Sequence, residues 1–127
     1  MFSVIAEQVP VWVVDDQASF RRVAVEMLSA ADGFVLAGEC ETGESAIETT
    51  WGDGSGIVLM DVNMPGIGGI EATRRIRAAR PDLMILLMST YDLKDLPSGV
   101  EDCGAAGYLR KEKLSPDLLM RLWRAHE

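Results

Sequence analysis

Ile57-Val58-Leu59-Met60-Asp61-Val62-Asn63-Met64-Pro65 is a run of four apolar residues ending on one carboxylate, with a proline four residues further on. A short, unbroken apolar run bounded by turn formers reads as a strand buried on both faces, the pattern of a central strand in a parallel sheet. Asp61 then stands where the strand leaves the sheet, the side on which open parallel sheets bind ligands. Before it, Gly52-Asp53-Gly54-Ser55-Gly56 reads as a flexible loop. That loop lacks the Lys-Ser/Thr of a P-loop and precedes a strand rather than a helix, so it is no phosphate cradle. After it, Pro65-Gly66 makes a turn. A helix is predicted from about Gly69 to Ala79, with Ile70, Thr73 and Ile76 inward and Arg74, Arg75, Arg77 and Arg80 on a solvated face.

Working outward, Val9 to Val14 is apolar throughout and runs into Asp15-Asp16, which gives a first buried strand. From Gln17 the period changes: Phe20, Val23, Ala24, Met27, Leu28 and Ala31 mark one face of an amphipathic helix, with Arg21, Arg22 and Glu26 between them. Gly33 stops it. Phe34 to Cys40 is a second strand, and Thr42 is placed to cap a short helix through Ser45, Ala46, Ile47 and Trp51. Met84 to Met88 is a fourth buried strand ending at Ser89-Thr90, and Ala106 to Arg110 a fifth ending at Lys111. Ser115-Pro116-Asp117 starts a last helix, Ser as cap and Pro at the first helical position, carrying Leu118, Leu119, Leu122 and Trp123. Five strands alternating with helices imply an α/β fold, a doubly wound parallel sheet ordered 2-1-3-4-5.

Composition bounds the function. A chain of 127 residues holds one domain with a real core, and 48% hydrophobic against 25% charged residues is ordinary globular composition. A net charge of −8 argues against this stretch gripping a nucleic-acid backbone by itself. No apolar run approaches the roughly 20 residues of a membrane span. Met1 to Glu7 lacks the basic start of a signal peptide, so a cytoplasmic protein is expected. Cys40 and Cys103 have no metal-binding spacing and read as reduced packing residues. His126, the sole histidine, reads as a solvated surface residue.

The chemistry lies in what the strands deliver at their carboxyl ends. Strand one brings Asp15 and Asp16, strand three Asp61, strand four Ser89 and strand five Lys111. Singly, each is an ordinary turn, cap or loop residue. With strands one and three adjacent at the switch point, three carboxylates share one crevice with a hydroxyl and an ammonium. Clustered carboxylates repel one another, and a divalent cation with hard oxygen ligands, Mg²⁺ best of all, relieves this. The remaining Mg²⁺ ligands commonly come from phosphate, and Ser89 and Lys111 suit the other oxygens of a phosphoryl group. A carboxylate can itself attack phosphorus, and Asp61, alone at the end of the central strand, is the candidate.

Over nearly its whole length the chain resembles a response-regulator receiver domain of the CheY-like (βα)5 type. The motifs are Val13-Val14-Asp15-Asp16, Leu59-Met60-Asp61-Val62-Asn63-Met64-Pro65-Gly66, Ser89, and Gly107-Tyr108-Leu109-Arg110-Lys111. Gly69-Ile70-Glu71-Ala72 and the surroundings of Lys111 are most similar to the NarL/FixJ-type subgroup. The resemblance implies that Asp61 accepts a phosphoryl group from a phosphohistidine on a sensor histidine kinase. It implies Mg²⁺ bound by Asp16, Asp61 and the backbone carbonyl of Asn63, with Asp15 acting through water. Lys111 and Ser89 would hold the phosphoryl oxygens, Ser89 and Tyr108 would form the switch, and Thr90 and Asn63 would control access. NarL/FixJ-type receivers usually precede a helix-turn-helix domain, so contact with DNA is expected only through a domain outside residues 1–127, and a homodimer through the last helix and Trp123 stays open against packing of Trp123 on the sheet.

Three departures carry expectations of their own. Leu96-Pro97-Ser98-Gly99 falls inside the helix expected from Asp92 to Cys103; interior Pro costs about 3 kcal/mol and Gly about 1, so a short helix starting near Pro97 or an irregular segment is predicted. Thr90 is bulkier than the residue often found there and would slow water reaching a phosphorylated Asp61. Gly68 replaces a frequent Asp and is a passable N-cap. Two other functions compete. A pseudo-receiver would keep the fold as an interaction module without phosphoryl transfer. A haloacid-dehalogenase-like phosphatase needs Asp-x-Asp after the first strand, where this chain has Asp15-Asp16.

Overall fold

The computed structural model describes residues 8–49, 51–52 and 54–126. Met1 to Glu7, read above as no signal peptide, and Asp53 of the glycine loop lie outside them. The elements follow in the order β1 (Val9–Val14), α1 (Ala18–Ala30), β2 (Phe34–Cys40), α2 (Gly43–Glu48), β3 (Ile57–Asp61), α3 (Gly68–Ala79), β4 (Met84–Ser89), β5 (Gly107–Arg110) and α4 (Pro116–His126). The sheet is parallel throughout, in the order β2-β1-β3-β4-β5.

Alternation along the strands makes two cores. Trp12, Val14, Val58, Met60, Ile85 and Leu87 face one layer, where they meet Ala46 of α2 and Ala72 and Ile76 of α3. Val11, Val13, Ile57, Leu59, Leu86 and Met88 face the other, against Ala24 and Leu28 of α1 and Leu119 of α4. Every residue of β3 is buried, because it pairs with β1 and β4 and is covered on both faces. Trp51, read above as part of the second helix, lies instead beyond its end at Glu48 and packs edge-on against Trp12, ring centroids 5.1 Å apart.

The capping chemistry is as read. Thr42 and Ser45 form a reciprocal capping box at α2, and Ser115 Oγ accepts from Leu118 N–H at 3.1 Å at α4. Cys40 and Cys103 are buried free thiols, and His126 is exposed beside Trp123, which is partly buried against the α1/α4 core.

Four further readings need correction. Val23 is 60% exposed, not part of the inward face of α1; only Ala24 and Leu28 of that face are fully buried, so the buried stripe is narrower than the apolar pattern suggests. Arg21 leaves the solvated face and turns inward, its side chain only 12% exposed. Arg80 joins α3 to the glycine loop, donating to the carbonyls of Gly52 (2.7 Å) and Gly54 (2.9 Å) and pairing with Asp82. Gly68 is not the N-cap: that position falls to Ile67, whose side chain makes no capping bond, and Gly68 opens α3 with φ of +77°. That left-handed conformation suits glycine and would strain an aspartate by about 1–2 kcal/mol.

Between β4 and β5 the described chain has a single 3₁₀ turn, Leu93–Asp95, ahead of Pro97, followed by turns. The irregular alternative is the one realised, and no helix starts near Pro97.

Candidate functional site

Parallel strands β1, β3, β4 and β5 end at one edge of the sheet, and so do the side chains read from the sequence. Carboxylate oxygens of Asp15, Asp16 and Asp61 lie within 4.8 Å of one another; Asp15 and Asp61 are buried, Asp16 exposed. Lys111, the first residue after β5, places its ammonium 2.6 Å from Asp15 Oδ2 and 3.6 Å from Asp61 Oδ1, with the side chain only 9% exposed. Backbone N–H groups serve the other positions: Gln17 donates to Asp15 Oδ1 at 2.8 Å and Asn63 to Asp61 Oδ1 at 3.3 Å.

Burial, and secondarily the charge of Asp15, push the Asp61 carboxyl up to about 7 against the opposing pull of Lys111. One ammonium does not balance three carboxylates. The donor set, hard oxygens around a partly exposed crevice, fits a divalent cation of the Mg²⁺ type.

The second half of the site is hydroxylic. Ser89, buried at the end of β4, accepts from the Asn63 side-chain amide at 3.4 Å and from Tyr91 N–H at 3.1 Å. Tyr108, on β5, donates its hydroxyl to the carbonyl of Tyr91, and burial raises its phenol above the ordinary value. Thr90 and Asn63 are exposed at the rim. Thus Asp15, Asp16, Asp61 and Lys111 converge, and Ser89, Asn63 and Tyr108 form a connected set beside them.

The start of α3 is pressed against this edge. A Cβ built on Gly69 would lie 2.0 Å from the carbonyl oxygen of Asp61, so only glycine admits the approach.

Two residues near the acidic pair escaped the sequence reading. Arg21 donates to the Asp15 carbonyl at 2.6 Å and lies 3.4 Å from both Glu39 and Glu41, tying the β1 exit to the end of β2. Phe20, read only as part of a core face, lies beneath the Lys111 ammonium, 4.6 Å from nitrogen to ring centroid. The sequence signal for Arg21 was its place about one turn beyond the acidic pair; Phe20 carried none, because its partner lies 91 residues away.

The model of the response regulator receiver domain matches residues 11–122. The chain belongs to that family. It is therefore a receiver domain of a two-component signalling family. Response regulator UvrY of Escherichia coli (strain K12) is 39% identical over 101 residues, 80% of this chain and 46% of UvrY. Response regulator GacA of Pseudomonas protegens is 39% identical over 101 residues, 80% of this chain and 47% of GacA. The receiver thus spans about half the length of the curated relatives it matches. Among solved structures, the receiver domain of the Mycobacterium tuberculosis regulator NarL superposes with a TM-score of 0.77 at 26% identity, covering 94% of this chain and 96% of that one. It agrees with the NarL/FixJ-type likeness. The Thermotoga maritima regulator TrrA, solved in complex with Mg²⁺ and beryllofluoride, gives 0.75 at 26% identity over 92% and 98% of the two chains. No helix among the described residues is long and apolar enough to cross a membrane.

Proposed function

We propose that residues 1–127 form one receiver domain in which Asp61 takes a phosphoryl group from a kinase phosphohistidine. The supporting observation is the position of Asp61, a buried carboxylate at the end of the central strand with Asp15, Asp16 and the Lys111 ammonium gathered around it. Asp61 attacks phosphorus; the P–O bond to its carboxylate forms as the P–N bond to the histidine breaks, and the imidazole leaves with the bonding pair. The two backbone N–H bonds orient Asp15 and Asp61, and Lys111 neutralises charge gathering on the transferring oxygens. Asp16, Asp61 and the Asn63 carbonyl would hold Mg²⁺, with Asp15 acting through water; the ion supplies positive charge to the phosphoryl oxygens.

A new dianion at Asp61 also competes for Ser89. The Ser89 hydroxyl accepts its present bonds from Asn63 and Tyr91 N–H and keeps its own hydrogen for a phosphoryl oxygen; turning toward Asp61 to donate it carries the oxygen away from those two donors and frees the Tyr91 segment that Tyr108 holds. Ser89 and Tyr108 are the switch in this reading. The output is regulation through a surface reshaped near β4 and β5, in the cytoplasm. DNA contact is assigned to a further domain of the kind that the added length of UvrY and GacA leaves room for, and homodimerisation belongs to the same output.

Intact mass after incubation with a small acyl-phosphate donor and Mg²⁺ tests the reading. One added phosphoryl group is expected, absent from Asp61→Asn and from a metal-chelated control; no adduct together with no binding of a beryllofluoride mimic overturns it. Thr90, exposed at the rim, is expected to shield the acyl phosphate from water, so Thr90→Ala should shorten its lifetime; equal decay rates refute that role. A second reading, a phosphorylation-independent interaction module, draws on the missing helix between β4 and β5. It is the reading the same negative result would select.

A further inference from the structure

The ammonium of Lys111 is held from three sides, and only two of them are carboxylates. Asp15 Oδ2 lies at 2.6 Å and Asp61 Oδ1 at 3.6 Å. The third neighbour is the face of Phe20, 4.6 Å from nitrogen to centroid, within cation–π range. Phe20 sits in the first turn of α1 and is partly buried against the α1/α4 core, so its ring is fixed independently of the lysine. Lys111 is the opposite case, a flexible four-carbon chain leaving the end of β5.

Two pulls compete for that lysine. Asp15 already has it in close contact, whereas transfer to Asp61 needs the ammonium facing the incoming phosphoryl oxygens. A carboxylate attracts along a short directional bond. A ring face attracts over an area and offers no lone-pair acceptor. A cation resting on it can turn its N–H groups from one oxygen to another without losing the support.

We infer that Phe20 is a positioning residue for phosphoryl transfer, its ring acting as a platform that keeps the Lys111 ammonium between Asp15 and Asp61. This rests on the phosphoacceptor reading above. It assigns to α1 a part in the chemistry that the acidic pair alone does not provide.

The test replaces Phe20 with mono-, di- and trifluorophenylalanine, which keep nearly the same volume while draining charge from the ring face. The rate of phosphorylation by a small acyl-phosphate donor with Mg²⁺ is followed by intact mass. A stepwise fall, reaching about three- to tenfold at trifluoro, is expected, and a flat series in a Lys111→Met background. Phe20→Trp should retain the rate and Phe20→Leu should lose it. Equal rates across the fluorinated series overturn the inference, as does the same slope without Lys111. If the unsubstituted protein takes no phosphoryl group from the small donor and also binds no beryllofluoride mimic, the phosphoacceptor reading fails. The platform is then judged by the Lys111 Cε protons in NMR. An upfield ring-current shift that disappears in Phe20→Leu supports it, and an unshifted resonance in the unsubstituted protein overturns it.

Discussion

The edge where β1 and β3 end and the segment between β4 and β5 lie side by side, yet they are built on opposite principles. At the first, the backbone is held by sheet pairing on both sides and each functional group is aimed by a strand that has nowhere else to go. At the second, residues 91–99 leave only Leu96 and Gly99 partly covered, Tyr91 and Leu93 are 56% and 46% exposed, and the order present comes from one 3₁₀ turn and a few hydrogen bonds. Rigid strand ends place charge to within a hydrogen bond's length. A segment anchored at few points is free to rearrange when one anchor is withdrawn, and Ser89 belongs to both regions.

The largest expected effect sharpens that contrast. Leu59→Ala, in a residue with no exposure, should cost about 3–4 kcal/mol in urea unfolding, whereas Leu93→Ala should stay within about 0.5. Comparable losses would break the comparison.

A second, intermediate effect belongs to charge. The folded Asp61 carboxyl titrates near 7 against 3.8 in its ordinary state. Between those values the unfolded chain has released a proton that the folded one retains, so in metal-free protein this group makes stability fall as pH rises from about 4 to about 7, and the loss persists above 7. Asp61→Asn should therefore be more stable than the parent at pH 8 by ~2 kcal/mol, less than the roughly 4 that the full displacement represents, and near parity at pH 4. Mg²⁺ should narrow the gap at pH 8. A gap that does not vary with pH would show that Asp61 ionises freely. The smallest effect is in the irregular segment. Pro97→Ala should change stability by less than about 0.5 kcal/mol and leave far-UV helicity unaltered; a gain of helix would mean that Pro97 alone prevents one.

The same contrast explains what could be read from the amino-acid order. The bounds of β1 and β3 were legible because strands covered on both faces leave unbroken apolar runs, and Asp15, Asp16, Asp61, Ser89 and Lys111 because each directly follows or ends a strand; β2, at the sheet edge, alternates in burial and is marked off by Gly33 before it and the Thr42 cap after it. Irregularity between β4 and β5 was legible from Pro97 and Gly99, though not the position of its one turn, which a few weak contacts decide. Side chains that act across the fold were not legible. Arg21 and Arg80 are drawn inward by carbonyls that come close only once the sheet has assembled. Val23 shows the converse error: an apolar residue at helical spacing whose position on α1 leaves it 60% exposed. The contact of Phe20 with Lys111 links the first helix to the last strand and leaves no local pattern.

Complete burial of β3 also sets a hierarchy of opening. Its amides are paired within the sheet's centre, so their exchange with solvent should require unfolding on the scale of the whole domain, while those of the largely exposed residues 91–99 should exchange through small local openings. Asp61 is thus planted on the part of the chain that yields last and is linked through Asn63 and Ser89 to the part that yields first. A change at Asp61 meets a strand paired on both sides and, beside it, a segment held at few points.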